Sequence, residues 1–124
     1  MSDAKADTRY ARHYSLPQFG HSAAQRLGKA NALVIGAGGT GCAALQSLAL
    51  AGIGAITVND FDRVDASNLA RQSLYRSSDI GQPKALVAQR ALRQLRPALP
   101  ITAIDARLTD SQLKEVATRA AVIL

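Results

Sequence analysis

The chain has 124 residues, 48% of them hydrophobic but only 4% aromatic, and a formal net charge of +6. That length suits one domain with a sizeable core, and no apolar run reaches the roughly 18 residues of a membrane span. The charged start, MSDAKADTRYARHY, lacks the apolar segment of a secretory signal, and a single cysteine, Cys42, rules out an internal disulfide or a CxxC zinc pair within these residues; a reducing, cytoplasmic setting is therefore expected.

In chain order, residues 1–8 read as a flexible tail, and RYARHYSL (9–16) as one or two helical turns that stop before Pro17. A short helix is predicted over 21–30. NALVIG (31–36) is a buried strand, apolar and closed by glycine. A helix follows over 40–52, with Cys42, Leu45, Leu48 and Ala49 at helical spacing and Gly52 as its stop. AITVND (55–60) is a second strand. Residues 61–82 form a long polar connection with room for one helical turn at ASNLAR, and connections of that length usually carry function or disorder. Pro83 opens a helix over 83–96 with an apolar stripe of Val87, Ala91, Leu92 and Leu95. ITAID (101–105) is a third strand, 110–120 a weaker helix, and AVIL (121–124) a fourth strand that looks cut short, which suggests a fragment.

Strands alternating with helices imply an α/β fold: a Rossmann-like parallel sheet of order 3-2-1-4 with helices on both faces. The 15 basic residues are scattered, without a run of five. Arg90, Arg93 and Arg96 therefore read as solvated surface, and nucleic acid is not an expected partner.

Gly36-x-Gly38-x-x-Gly41 follows a strand and opens a helix, the context that gives a glycine fingerprint its meaning. Gly36 permits a tight turn, Gly38 and its neighbour Gly39 let backbone approach a ligand, and Gly41 lets helix and strand pack closely. The helix start supplies free N–H groups and a positive dipole end for an anion. Asp60 closes the second strand, where a carboxylate can accept hydrogen bonds from ribose hydroxyls. Beyond it, Asn68, Arg71, Gln72 and Lys84 lie on a connection that could fold back over the sheet's carboxyl edge. Such a cluster suits a triphosphate, whose charge exceeds what one helix end neutralises. Asp62 could approach the nucleotide or cap the next turn. Cys42 reads as a small buried hydrophobe, His13 and His21 as surface or packing residues, and Arg63 and Arg76 as surface. Two other readings stay open: an NAD-dependent oxidoreductase domain, which leaves the Asn68–Lys84 cluster unused, and a non-catalytic nucleotide-binding module.

VIGAGGTGCAALQSLALAGIGAITVNDFDRVDASNLARQ, followed by GQPKA, resembles the ThiF/MoeB/HesA family, the prokaryotic relatives of ubiquitin-activating enzymes. The likeness runs from Arg9 to the chain end, and Thr40 stands where that family usually has Leu. It implies that residues 9–124 form a nucleotide-binding domain lacking the C-terminal half of the family fold. It implies an ATP-dependent adenylyltransferase that activates the C-terminal Gly-Gly carboxylate of a ubiquitin-like sulfur-carrier protein of the thiamine or molybdopterin type. By the same resemblance, the glycine loop approaches the ATP phosphates and Asp60 binds ribose. Asn68, Arg71 and Lys84 clamp phosphates, with Gln72 beside them, and Arg12 reaches the ATP of the other subunit of a homodimer. The family's Mg²⁺-binding Asp, its zinc-binding CxxC pairs and most of its carrier-docking surface would fall beyond Leu124, so the 124 residues alone are expected to be inactive or nearly so.

Overall fold

A computed structural model describes residues 20–124. The tail expected at 1–8, the turns expected at 9–16, and both Arg12 and His13 lie outside the described residues. The elements are α1 (Gly20–Lys29), β1 (Asn31–Ile35), α2 (Gly39–Ala51), β2 (Ala55–Asn59), α3 (Lys84–Leu95), β3 (Ile101–Ile104), α4 (Asp110–Thr118) and β4 (Val122–Ile123). Each lies within two residues of its expected bounds. The 61–82 connection carries the anticipated turn, a 3-10 helix at Ala66–Asn68, and a second one at Ser77–Asp79 that the sequence pattern did not signal.

The four strands form one sheet of order β3-β2-β1-β4, all parallel. β1 is central because its Ala32, Leu33 and Val34 are apolar in succession and can be buried on both faces. The chain runs outward from β1 to β2 and β3, then returns to the other side of β1 for β4. Ligands of such sheets bind where the order reverses, outside the carboxyl ends of the strands. The turn after β1 stands at that place.

α2 packs on β1 and α3 on β2 and β3, and the two helices also touch each other. Leu45 and Ala49 of α2 meet Val34, Ile56 and Val58 of the sheet and Val87, Ala88 and Leu92 of α3 in one buried cluster. Each large aliphatic side chain buried there contributes about 1.5–3 kcal/mol. Leu95, placed by its spacing in the α3 stripe, is instead exposed: the buried face is Lys84, Ala85, Val87, Ala88 and Leu92, and the last turn overhangs the core. Among the described residues no helix is long and apolar enough to cross a membrane.

The arginines expected to be solvated are divided by the structure. Arg90 pairs with Asp79 at 2.9 Å and also reaches Gln82. Arg96 turns inward, and its Nη1 donates to the carbonyls of Ala49 and Ile53 at 3.2 and 2.8 Å. It thereby satisfies backbone acceptors at the end of α2, where Gly52 takes the left-handed conformation and its N–H reaches the Leu48 carbonyl. Arg90, although paired, stays exposed, as does Arg93, so Arg96 alone departs from the expected solvated place. Spacing could not show this, because the partners of Arg96 lie more than forty residues away. Arg96→Ala is expected to cost about 1.5–3 kcal/mol, the value of hydrogen bonds from a charged donor, measured by chemical denaturation.

Candidate functional site

The site is built from the turn after β1 outward. Gly36 adopts φ +93°, which side-chain-bearing residues rarely take, and donates its N–H to the Asn59 carbonyl of β2 at 2.8 Å. Gly38 is the N-cap of α2, and no side chain caps that end. The first amides of α2 thus keep their capacity to bind an anion. At Gly41 an added Cβ would stand 1.8 Å from the Gly36 carbonyl oxygen, so its role is the close packing expected of it.

Between these glycines, Ala37 is held from three directions. Its N–H donates to Asp60 Oδ2 at 2.8 Å, and its carbonyl accepts from the Tyr75 hydroxyl and, at 3.4 Å, from Cys42 Sγ. Burial raises the pKa of the Cys42 thiol and pushes the Tyr75 phenol well above its ordinary value, so both remain proton donors. Cys42 is buried as expected, with a weak hydrogen bond added. Asp60 is more committed than its strand-end position suggested, since Oδ1 also accepts the Asp62 N–H at 2.7 Å. Each oxygen keeps a further lone pair for a hydroxyl donor. Asp62 acts here through its backbone, its carbonyl accepting the Lys84 N–H at 3.0 Å.

The long connection returns to this loop. The Asp65 carboxylate accepts the Ser67 N–H, and Asn68 Oδ1 accepts the Asp65 N–H, a reciprocal cap that closes the first 3-10 turn. Those bonds to Ser67 lower the Asp65 pKa. The Asn68 carbonyl then accepts the N–H groups of Arg71 and Gln72 at 3.1 and 2.9 Å. This turn places Arg71 and Gln72 against the glycines: ideal Cβ positions at Gly39 and Gly38 lie 3.4 Å from the Arg71 carbonyl oxygen and 3.8 Å from Gln72 Nε2. Arg71 is exposed, whereas Gln72 is 6% exposed and its Oε1 is buried without a hydrogen-bond partner. Lys84 opens α3 and is 7% exposed. No carboxylate among the described residues forms an ion pair with it, although its charge reaches Asp65 and helps to lower that carboxyl's pKa. A lysine this deep that forms no close ion pair has charge to offer an anion.

The structure therefore brings Gly38, Gly39, Arg71 and Gln72 together, ties Asp60 to the same loop through Ala37, and links Lys84 to it through Asp62. Asn68 spends its side-chain oxygen and carbonyl on the turn, leaving its amide NH₂ for a ligand. Arg63 and Arg76 are exposed, as expected, and Arg63 donates to the Gly81 carbonyl. His21 is exposed on α1. Two residues that sequence reasoning passed over are Tyr75, beneath the loop, and Asn59, whose Nδ2 donates to the Ile104 and Ala106 carbonyls and fixes the end of β3. A polar residue ending an otherwise apolar strand was the available signal for Asn59; nothing local marked Tyr75. A cavity of about 500 Å³ between α2, α3 and the 73–82 segment is lined by none of the site residues, so it is not the place of this chemistry. Among the described residues no group of three His, Cys, Asp or Glu side chains could hold a metal ion.

A glycine turn after the first strand of a reversing parallel sheet, bordered by a returning connection that carries Arg71 and Gln72, defines a domain of the Rossmann nucleotide-binding type. The chain belongs to the ThiF family, whose match runs over residues 10–124. It is 46% identical over 108 residues to the sulfur carrier protein adenylyltransferase of Thermus thermophilus, covering 87% of this chain and 40% of that protein. It is 43% identical over 105 residues to the molybdopterin-synthase adenylyltransferase of Escherichia coli, covering 85% of this chain and 42% of that protein. Among solved structures, the E. coli tRNA N6-threonylcarbamoyladenosine dehydratase TcdA in complex with ATP superposes with a TM-score of 0.82 at 32% identity, over 94% of this chain and 47% of that one. The chain thus spans less than half the length of these relatives.

Proposed function

We propose that the protein is an ATP-dependent adenylyltransferase acting on the C-terminal Gly-Gly carboxylate of a ubiquitin-like sulfur-carrier protein. One observation carries the reading: Lys84, nearly buried and in no ion pair among the described residues, is linked through Asp62 and Asp60 to a glycine loop that Arg71 and Gln72 also border. Cations beyond the helix start fit a triphosphate, which carries more charge than the pyrophosphate of a nicotinamide dinucleotide. The names of the adenylyltransferase relatives and the ATP-bound neighbour support the choice of nucleotide and partner.

In this reading the amides at the start of α2, Arg71 and Lys84 hold the triphosphate, and Asp60 accepts from ribose. The carrier carboxylate attacks the α-phosphorus. A carboxylate–phosphorus bond forms, the bond to the bridging oxygen breaks, and its electron pair leaves with pyrophosphate. No proton needs to move, so the chain's task is to orient the groups and stabilise the charge that gathers on the phosphoryl oxygens. A bound Mg²⁺ would supply further positive charge. We also place the protein in the cytoplasm as a homodimer in which Arg12 reaches the partner's nucleotide, a reading supported by the motif around Arg12.

The test is carrier-dependent exchange of labelled pyrophosphate into ATP by the protein at its full length. Exchange that requires a carrier ending in Gly-Gly is expected; tight NAD binding without ATP binding would replace this reading with the oxidoreductase one. In the same assay Arg71→Ala is expected to slow exchange about 10–10²-fold. The loss is smaller than for a desolvated donor, because solvent screens an exposed guanidinium.

A further inference from the structure

We propose that Tyr75 is a positioning residue for the nucleotide: its hydroxyl fixes the Ala37 peptide and with it the spacing between the glycine loop and the Arg71–Gln72 turn. The inference rests on the nucleotide reading above and adds to it a residue that touches no ligand.

A continuous run of hydrogen bonds supports it. The Asn68 carbonyl holds the N–H groups of Arg71 and Gln72, and the Gln72 carbonyl holds the N–H of Tyr75 at 3.2 Å. The Tyr75 hydroxyl crosses to the Ala37 carbonyl, and the Ala37 N–H closes onto Asp60 at the end of β2. The connection bearing the cations and the loop bearing the amides are thus joined by one phenol. Tyr75 is 5% exposed and Ala37 is fully buried, so no water replaces the bond at little cost. A buried tyrosine needs some acceptor. Here the acceptor is the peptide between the loop's first two glycines, rather than a helix or strand carbonyl elsewhere in the core. Cys42 donates to the same oxygen, but a thiol is a weak donor and does not substitute for the phenol. Because Gly36, Gly38 and Gly39 give the loop no side chains of its own, its shape must be imposed by neighbours such as these.

The deciding experiment uses the full chain and Tyr75→Phe, which keeps the ring and removes only the hydroxyl. Amide hydrogen exchange at residues 37–40 is followed without nucleotide, and ATP and adenosine affinities are measured by calorimetry. Exchange at these amides is expected to quicken about 5–10-fold and ATP to bind about 5–10-fold more weakly, with adenosine changed less than about 2-fold, as loss of one hydrogen bond acting through the phosphate loop predicts. Leu92→Val, a core truncation remote from the loop, should lower stability without moving either ratio. Unchanged exchange and ATP affinity in Tyr75→Phe overturn the proposal, as does equal weakening of ATP and adenosine. Failure of the unmodified protein to bind ATP would overturn the nucleotide reading instead, and the exchange rates would still decide whether Tyr75 fixes the loop.

Discussion

Replacing Lys84 by methionine is expected to slow carrier-dependent pyrophosphate exchange about 10²–10³-fold, the loss seen when one donor to a developing oxyanion is removed, while the melting temperature stays level or rises. The two halves of this result have one cause. Lys84 is 7% exposed and no carboxylate among the described residues pairs with it. Burying the ammonium takes part of its hydration away, which works against the folded state. Methionine keeps a similar length and apolar stem and removes the charge. The site then loses a cation that works in low dielectric, where each charge acts more strongly than at the surface, and the fold loses a strain. Exchange and thermal melting on the same sample check both halves. A clear fall in melting temperature together with intact exchange would make Lys84 a structural residue.

This opposition between stability and activity is typical of sites held ready for a charged ligand. Gln72 Oε1 is likewise buried without a partner, and its amide nitrogen lies beside Gly38.

The sequence made some of this legible and hid the rest for physical reasons. β1 could be placed because a short apolar run closed by glycine has few other readings, and the sheet order followed from the alternation of strands with helices. Gly36, Gly38, Gly41 and Asp60 could be located because the turn–helix junction imposes its own spacing. Arg71 and Lys84 could be chosen by charge, yet only the fold shows that the first is exposed and the second nearly buried. Tyr75 and Arg96 were hidden because their acceptors, Ala37 and the end of α2, lie far away in the chain. A lone tyrosine or arginine carries no periodic mark. Leu95 was misplaced for the converse reason: helical spacing gives the stripe, but not the point where the core beneath it ends.

Two glycines of the same fingerprint are expected to fail in opposite ways. Gly41→Ala should destabilise the fold by more than about 3 kcal/mol, a size reserved for steric faults that cannot relax. The added Cβ would lie 1.8 Å from the Gly36 carbonyl oxygen and 2.8 Å from its carbonyl carbon. Both are backbone atoms of a turn already anchored to Asn59, so neither can step aside cheaply. Gly38→Val should instead leave the fold intact. Gly38 has φ −84°, which any residue can adopt, and its nearest neighbour would be Gln72 Nε2 at 3.8 Å, an ordinary contact. What the valine occupies is the space over the loop, so ATP affinity should fall at least about 10²-fold, the equivalent of an overpacking penalty near 2.7 kcal/mol. Denaturant titration and calorimetry on both variants separate the two roles. A stable Gly41→Ala protein would remove the packing role from Gly41. A folded Gly38→Val protein that still binds ATP tightly would move the phosphates away from this loop, and Arg71 and Lys84 would lose their assigned partner.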